Sequence, residues 1–274
     1  MEDKVKLAIG LRVYEKNREA LVKKMRFLDH VPWHMVGKVF VAVNVEKDQS
    51  GALEYFNTVL EDSRVEAFPV QPWFKIGLPA LNAIVHKATA QSFTHLWFVS
   101  TRLVINGAIA ETLLRYFVDN PAENMRAKIS VVGAVMPGHQ FSEREWKVGI
   151  SETEVFSITG ETTPFNTCAV WSLRYLHPIG FLPISEMPTN QEAAGIEELP
   201  TILMQGKLFG ACARMLFISD IRQQTAHWDE DRKERNTTII LTKAKRSKEQ
   251  VELLSSPSRP LGNFVEYFHF PSLV

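Results

Sequence analysis

The apolar run Thr94-His95-Leu96-Trp97-Phe98-Val99 ends abruptly in Ser100, Thr101 and Arg102. Two hydroxyls and a guanidinium suit anionic oxygens: the guanidinium makes bidentate, charge-assisted hydrogen bonds. In an open α/β sheet, ligands bind just beyond the carboxyl ends of the strands. The tip of this run is therefore the first candidate site. The plain alternative is a surface charge at a strand end. A second concentration of chemistry is the acidic pair Glu197-Glu198, beside Pro200 and ahead of an apolar helical pattern. Such a pair can take up protons, or it can simply stabilise a helix N-terminus.

The elements that hold these residues alternate. Val5 to Leu11 reads as a strand, residues 16–29 as a helix with Leu21, Val22, Met25 and Leu28 on one stripe, and Lys38 to Val45 as a strand. The last is almost continuously apolar, as in a sheet covered on both faces. A helix from Ser50 to Leu60, a strand over Arg64 to Val70 and a helix over Ile76 to Ala90 follow. After the Thr94 run come a helix capped by Asn106 and a strand from Lys128 to Val135. The alternation predicts an α/β fold with a mainly parallel sheet and right-handed crossovers. Beyond residue 136 the pattern changes to shorter strands at 154–158 and 166–173, a proline-rich loop, and a helix over 191–205 in which Pro200 must lie near the start or make a kink. Phe209 to Ile218 is apolar but of undecided type. Charge dominates from Asp220 to Gln250, which predicts a surface helix and then a mobile tail.

Composition narrows the classes. The chain has 274 residues, 45% of them hydrophobic, enough for a substantial core. Basic and acidic residues both number 31, so the net charge is zero and a nucleic-acid binder is disfavoured. Two isolated cysteines, Cys168 and Cys212, make neither a disulfide framework nor a zinc site. Eight scattered histidines give no His-x-x-x-His pair. No Gly-x-Gly-x-x-Gly follows the first strand, and no phosphate-binding Walker loop is present. With no leader-like start and no apolar stretch of membrane-spanning length, the expected location is cytoplasmic. The basic cluster Lys243, Lys245, Arg246 and Lys248 reads as a solvated face. The apolar end Phe264 to Phe270 predicts docking onto a neighbouring subunit, hence a homo-oligomer.

Several segments, in order, resemble the family 2-type glycosyltransferases of the GT-A fold. Leu11-Arg12-Val13-Tyr14-Glu15-Lys16-Asn17 stands where that family has a Pro-x-Tyr-Asn-like turn. Asn44-Val45-Glu46-Lys47-Asp48 stands at its acidic second strand end. Phe74-Lys75-Ile76-Gly77-Leu78-Pro79-Ala80-Leu81-Asn82 is similar to its Asn-x-Gly-x-x-x-Ala-x-Asn segment. Ser100-Thr101-Arg102 replaces its metal-binding Asp-x-Asp. Gly195-Ile196-Glu197-Glu198 resembles its Gly-x-Glu-Asp-like turn, and Thr167 to Leu173 with Ile179-Gly180-Phe181 resembles the acceptor-side segment before it.

The resemblance implies a GT-A-like, Rossmann-related mixed sheet flanked by helices. Residues 1–218 would form the transferase domain, with a nucleotide-binding half (1–136) and an acceptor half (137–218); 219–274 would be a charged helix and tail. It implies transfer of a sugar from a nucleoside-diphosphate sugar to an acceptor hydroxyl of a glycan or small molecule. Glu46 or Asp48 would hold the nucleoside, with Tyr14 beside it. Lys75, Asn82, Ser100, Thr101 and Arg102 would hold the diphosphate. Glu198 would be the general base, with Glu197 its partner. The family's divalent cation, Mn or Mg, needs carboxylate oxygens, which Ser100-Thr101-Arg102 does not supply, so no metal ligand is assigned and Arg102 would take the metal's place. Trp73 and Phe74 offer stacking surfaces, and His227 is a remote candidate for a phosphate or metal ligand. Two readings stay open: a metal-independent transferase, and a catalytically silent GT-A-fold protein that binds a nucleotide, glycan or protein partner.

Overall fold

The computed structural model describes residues 5–14, 17–46, 51–58, 62–74, 77–118, 128–136, 139, 153–185, 196–218, 221, 245–254 and 264–269. The strands are β1 (Leu7–Val13), β2 (Val36–Asn44), β3 (Val65–Val70), β4 (His95–Val99), β5 (Lys128–Ala134), β6 (Thr153–Ser157), β7 (Cys168–Ser172), β8 (Ala211–Phe217) and β9 (Phe264–His269). The helices are α1 (Arg18–Met25), α2 (Ala52–Thr58), α3 (Leu78–Ala90), α4 (Gly107–Val118), α5 (Leu173–Leu176) and α6 (Glu198–Phe209), with α7 over 245–254.

The described strands form one sheet in the order β3-β2-β1-β4-β7-β5-β8-β9-β6. β1 pairs in parallel with β2 and β4, and β5 with β8. β7 runs antiparallel between β4 and β5, and β6 runs antiparallel to β9. The sheet is therefore mixed and mainly parallel, as the alternation predicts for its first half.

Side chains leave alternate faces of a strand. Leu7, Ile9, Leu11 and Val13 of β1, with Val39, Val41 and Val43 of β2, pack under α1, α2 and α4. Ala8 of β1, Phe40 and Ala42 of β2, and Leu96 and Phe98 of β4 face α3, α5 and α6. Gly10 lets α3 lie close to β1, since a Cβ there would come within 2.8 Å of both Ile84 and the Phe98 ring. This two-sided burial accounts for the unbroken apolar runs that mark the central strands.

Two open readings are decided and one expectation changes. The run of undecided type is a strand, β8, entered through Gly210, whose φ of 64° ends α6 in the left-handed conformation. Pro200 does not kink α6, because it sits in the first turn, where a missing N–H has no partner to lose. Residues 264–269 are not a tail: they pair with β8 on one side and β6 on the other. The segment that predicted docking onto another subunit is thus an inner strand of this chain's own sheet, between β8 and β6. No helix among the described residues is long and apolar enough to cross a membrane.

Candidate functional site

Strand β1 carries Arg12 near its carboxyl end. Residue 12 lies on the same side of the strand as Ala8, toward α3 and α6, and there its Nη2 meets Glu197 Oε1 at 3.2 Å. The pair is partly screened, with the Arg12 side chain 27% exposed and that of Glu197 8%. The β1–β4 pairing ends at Gly10 and Phe98, so Arg12 and Ser100 each lie two residues beyond the last paired position of their strands. Arg12 thus comes from the segment that also supplies Tyr14.

At the end of β2, the Glu46 N–H donates to Asn44 Oδ1 at 3.0 Å, which turns the chain. The Glu46 carboxylate accepts from the Trp73 N–H at 3.3 Å. Trp73 is buried, whereas Tyr14 and Phe74 are exposed. The Tyr14 ring lies 6.2 Å from that of Trp73, with the Lys24 ammonium 5.2 Å from the Tyr14 centroid. Tyr14, Glu46 and Trp73 therefore share one patch beyond β1 and β2. Asp48, Lys75 and His227 lie outside the described residues.

After β4 the chain makes a tight turn. The Leu103 N–H donates to the Ser100 carbonyl at 3.0 Å, and the Arg102 N–H to Ser100 Oγ at 3.3 Å. Ser100, Thr101 and Arg102 are half-buried. The Ser100 N–H donates to the Thr167 carbonyl at 2.8 Å, which ties this turn to the entry of β7.

The two acidic residues divide. Glu197 stands at the N-cap position of α6, where its side chain makes no capping hydrogen bond and turns instead toward Arg12. Glu198, only 3% exposed, turns inward and accepts from the Asn166 N–H. Asn166 Oδ1 in turn accepts from the Trp171 indole at 2.9 Å. Both carboxylates sit at the positive end of α6. Hydrogen bonds and neighbouring residues thus run from Arg12 through Glu197-Glu198, Asn166-Thr167 and Ser100 to Arg102, joining β1, α6, β7 and β4. Sequence reasoning names both glutamates, Ser100, Thr101 and Arg102 but misses Arg12 and Asn166. The signal for Arg12 was its place within the first turn; nothing local distinguishes Asn166.

Asn82 falls outside this set. Its Nδ2 donates to the Phe181 carbonyl at 3.0 Å and its Oδ1 accepts from the Phe181 N–H at 2.7 Å. The amide is turned to the backbone of the acceptor-side segment and joins α3 to it.

The donor set at the tip of β4, two hydroxyls and a guanidinium, does not fit a hard divalent cation. Among the described residues, no group of three or more His, Cys, Asp or Glu side chains could hold a metal ion. Cys168 and Cys212 are free and buried, and burial pushes the Cys168 thiol up to about 12, far from a reactive thiolate.

No family model matches the sequence, and no curated protein matches it. Among solved structures, the chain is similar to a mannosyltransferase from Pyrobaculum calidifontis in complex with GDP-Man and Mn2+. The identity is 12% and the TM-score 0.51, over 92% of this chain and 68% of that one. It is also similar to glucosyl-3-phosphoglycerate synthase from Mycobacterium tuberculosis in complex with Mn2+, UDP and glucosyl-3-phosphoglycerate (13% identity, TM-score 0.49, 99% and 89% of the chains). A third likeness is to S. aureus TarS in complex with UDP-GlcNAc (13% identity, TM-score 0.42, 73% and 52%). Identities this low speak for the fold alone, and the mannosyltransferase carries that argument. The chain has the GT-A fold of nucleotide-sugar glycosyltransferases.

Proposed function

We propose that the chain holds a nucleoside-diphosphate sugar over the ends of β1, β2 and β4 and transfers the sugar to an acceptor hydroxyl. The observation that carries this reading is the Arg12–Glu197 pair, a cation and a carboxylate meeting across the ends of β1 and α6. Tyr14 and Glu46, with Asp48, take the nucleoside. Arg12 and Arg102, with Lys75, take the diphosphate, and the Ser100 and Thr101 hydroxyls support them. The acceptor, a glycan or a small molecule, lies on the α6 side.

In the direct displacement this arrangement suits, the acceptor oxygen bonds to the sugar's anomeric carbon as the bond to the diphosphate breaks. The acceptor's proton passes to a carboxylate, and the leaving charge stays on the diphosphate. Of the two glutamates, Glu197 is the better placed base, because Glu198 is engaged with the Asn166 N–H in the interior. Glu198 then fixes the turn that presents Glu197. A diphosphate that draws Arg12 toward itself leaves the Glu197 carboxylate to accept the proton. No metal enters this scheme.

The second reading, a binding protein without turnover, is favoured by one observation: both glutamates are already engaged within the protein. Calorimetry with UDP, GDP and CDP, each with and without manganese, tests the donor site, and absence of heat with all three removes it. Sugar transfer or donor hydrolysis that Glu197→Gln abolishes separates the transferase from the silent protein.

A further inference from the structure

Helix α7 lies against the acidic turn. Its Gln250, fully buried, accepts from the Ile196 N–H at 3.2 Å and donates from Nε2 to the Ile196 carbonyl at 3.4 Å. Ile196 immediately precedes Glu197. One turn earlier, buried Ser247 packs on Gly160 so closely that a Cβ at Gly160 would collide with it. The same added atom would come within 2.9 Å of Ile196 Cδ1, so Gly160, Ser247 and Ile196 meet at one point. Arg246 is buried too and pairs with Glu249 at 2.6 Å, while Val251 and Leu254 pack on the core of the sheet face that α3, α5 and α6 cover. Beyond α7, β9 holds β6 in the sheet, and β6 leads into the loop that carries Gly160 and then Asn166.

We propose that α7 is a clamp on the acidic turn, with Gln250 a positioning residue that fixes Ile196 and hence the placement of Glu197. This rests on the reading of Glu197 as the base. Both sides of the turn are then fixed: Gln250 grips the residue before Glu197, and the Asn166 N–H grips the residue after it. A side chain that bonds both backbone groups of one residue limits rotation on either side of it. A reacting carboxylate displaced by even an ångström loses much of its effect. The region that charge patterning marks as a surface helix thus acts on the chemistry through Ile196, without touching the donor.

The test compares the full chain with Gln250→Met, which keeps the volume and loses both bonds, and with Gln250→Glu, which keeps the acceptor for the Ile196 N–H. Amide hydrogen exchange at residues 196–199 is expected to quicken about tenfold or more in Gln250→Met and less in Gln250→Glu, with β1 and β4 unchanged. Turnover is expected to fall about tenfold in Gln250→Met, with the KM for donor within about twofold of the parent. Unchanged exchange overturns the clamp, as does faster exchange with undiminished kcat, or failure of both variants to fold. If the parent transfers no sugar to any acceptor, the functional reading fails separately, and exchange alone decides the clamp.

Discussion

Arg12 and Glu197 stand 185 residues apart in the chain and meet at 3.2 Å, across the ends of β1 and α6. Because the pair is partly exposed, its own contribution to folding is small, on the order of 0–1 kcal/mol. Its value is positional: a cation near the carboxyl end of β1 is held against a carboxylate at the start of α6. Arg12→Met is therefore expected to leave the melting temperature within a few degrees of the parent. The same change is expected to weaken nucleoside-diphosphate binding about 10- to 100-fold, the range of a lost charge-assisted hydrogen bond. Calorimetry at fixed salt measures it, and undiminished affinity removes Arg12 from the diphosphate site.

The two adjacent glutamates are expected to respond differently to the same change. Glu197→Gln keeps the size and shape of the side chain and removes the base, so turnover is expected to fall about 100-fold or more with little effect on melting. Glu198→Gln weakens the bond from the buried Asn166 N–H, at a cost of about 1–3 kcal/mol in stability. Thermal unfolding beside kinetics separates them. Reversal of the two patterns would return the base to Glu198.

His139 makes stability depend on pH. Its Nδ1 accepts from the Met136 N–H at 2.7 Å, and Nε2 lies 2.8 Å from the Thr163 carbonyl, which only a protonated Nε2 can satisfy. The neutral ring also stacks on Phe165 at 4.0 Å. Burial, opposed by the hydrogen bonds to Thr163 and Met136, pushes its pKa down from 6.5 to about 4. The unfolded chain thus binds more protons between these values, and stability rises with pH through that window. The contribution is fully present above about 6.5 and is lost as pH falls toward 4, by about 3 kcal/mol in order of magnitude. His95, lowered by burial to about 4, adds a slope of the same sign. Urea unfolding between pH 7.5 and 4.5 is expected to show a decline that His139→Phe reduces. An equal decline in parent and variant would clear His139 of it.

The fold was legible because the strands under helices on both faces carry unbroken apolar runs such as Val39 to Val43. The candidate site was legible only where local chemistry marks it, at Glu197-Glu198 and Ser100-Thr101-Arg102. Arg12 was marked only by its place in the first turn, since its partner is supplied by α6 after the chain has crossed the sheet. Asn166 contributes its backbone N–H to Glu198, a role any residue but proline can fill, so its identity carries no signal there. The end of the chain misled because the charge preceding 264–269 hides a strand whose neighbours, β8 and β6, come from earlier in the sequence.

Asn82 provides the sharpest separation of site from scaffold. The resemblance to a nucleotide-sugar transferase gives it a place at the diphosphate, yet its amide matches the N–H and carbonyl of Phe181, 99 residues away. Phe181 is itself buried against Phe98 and Trp171, at ring distances of 5.6 Å and 5.3 Å, so the joint anchors the acceptor-side segment to the core. Asn82→Ala removes two hydrogen bonds and leaves the Phe181 backbone groups to find other partners, at a cost of about 1–3 kcal/mol. For a chain of this length, that lowers the melting temperature by several degrees. Nucleoside-diphosphate affinity, measured well below the new melting point, is expected to match the parent. Lost affinity with unchanged melting would put the Asn82 amide on the ligand and make the Phe181 contact incidental.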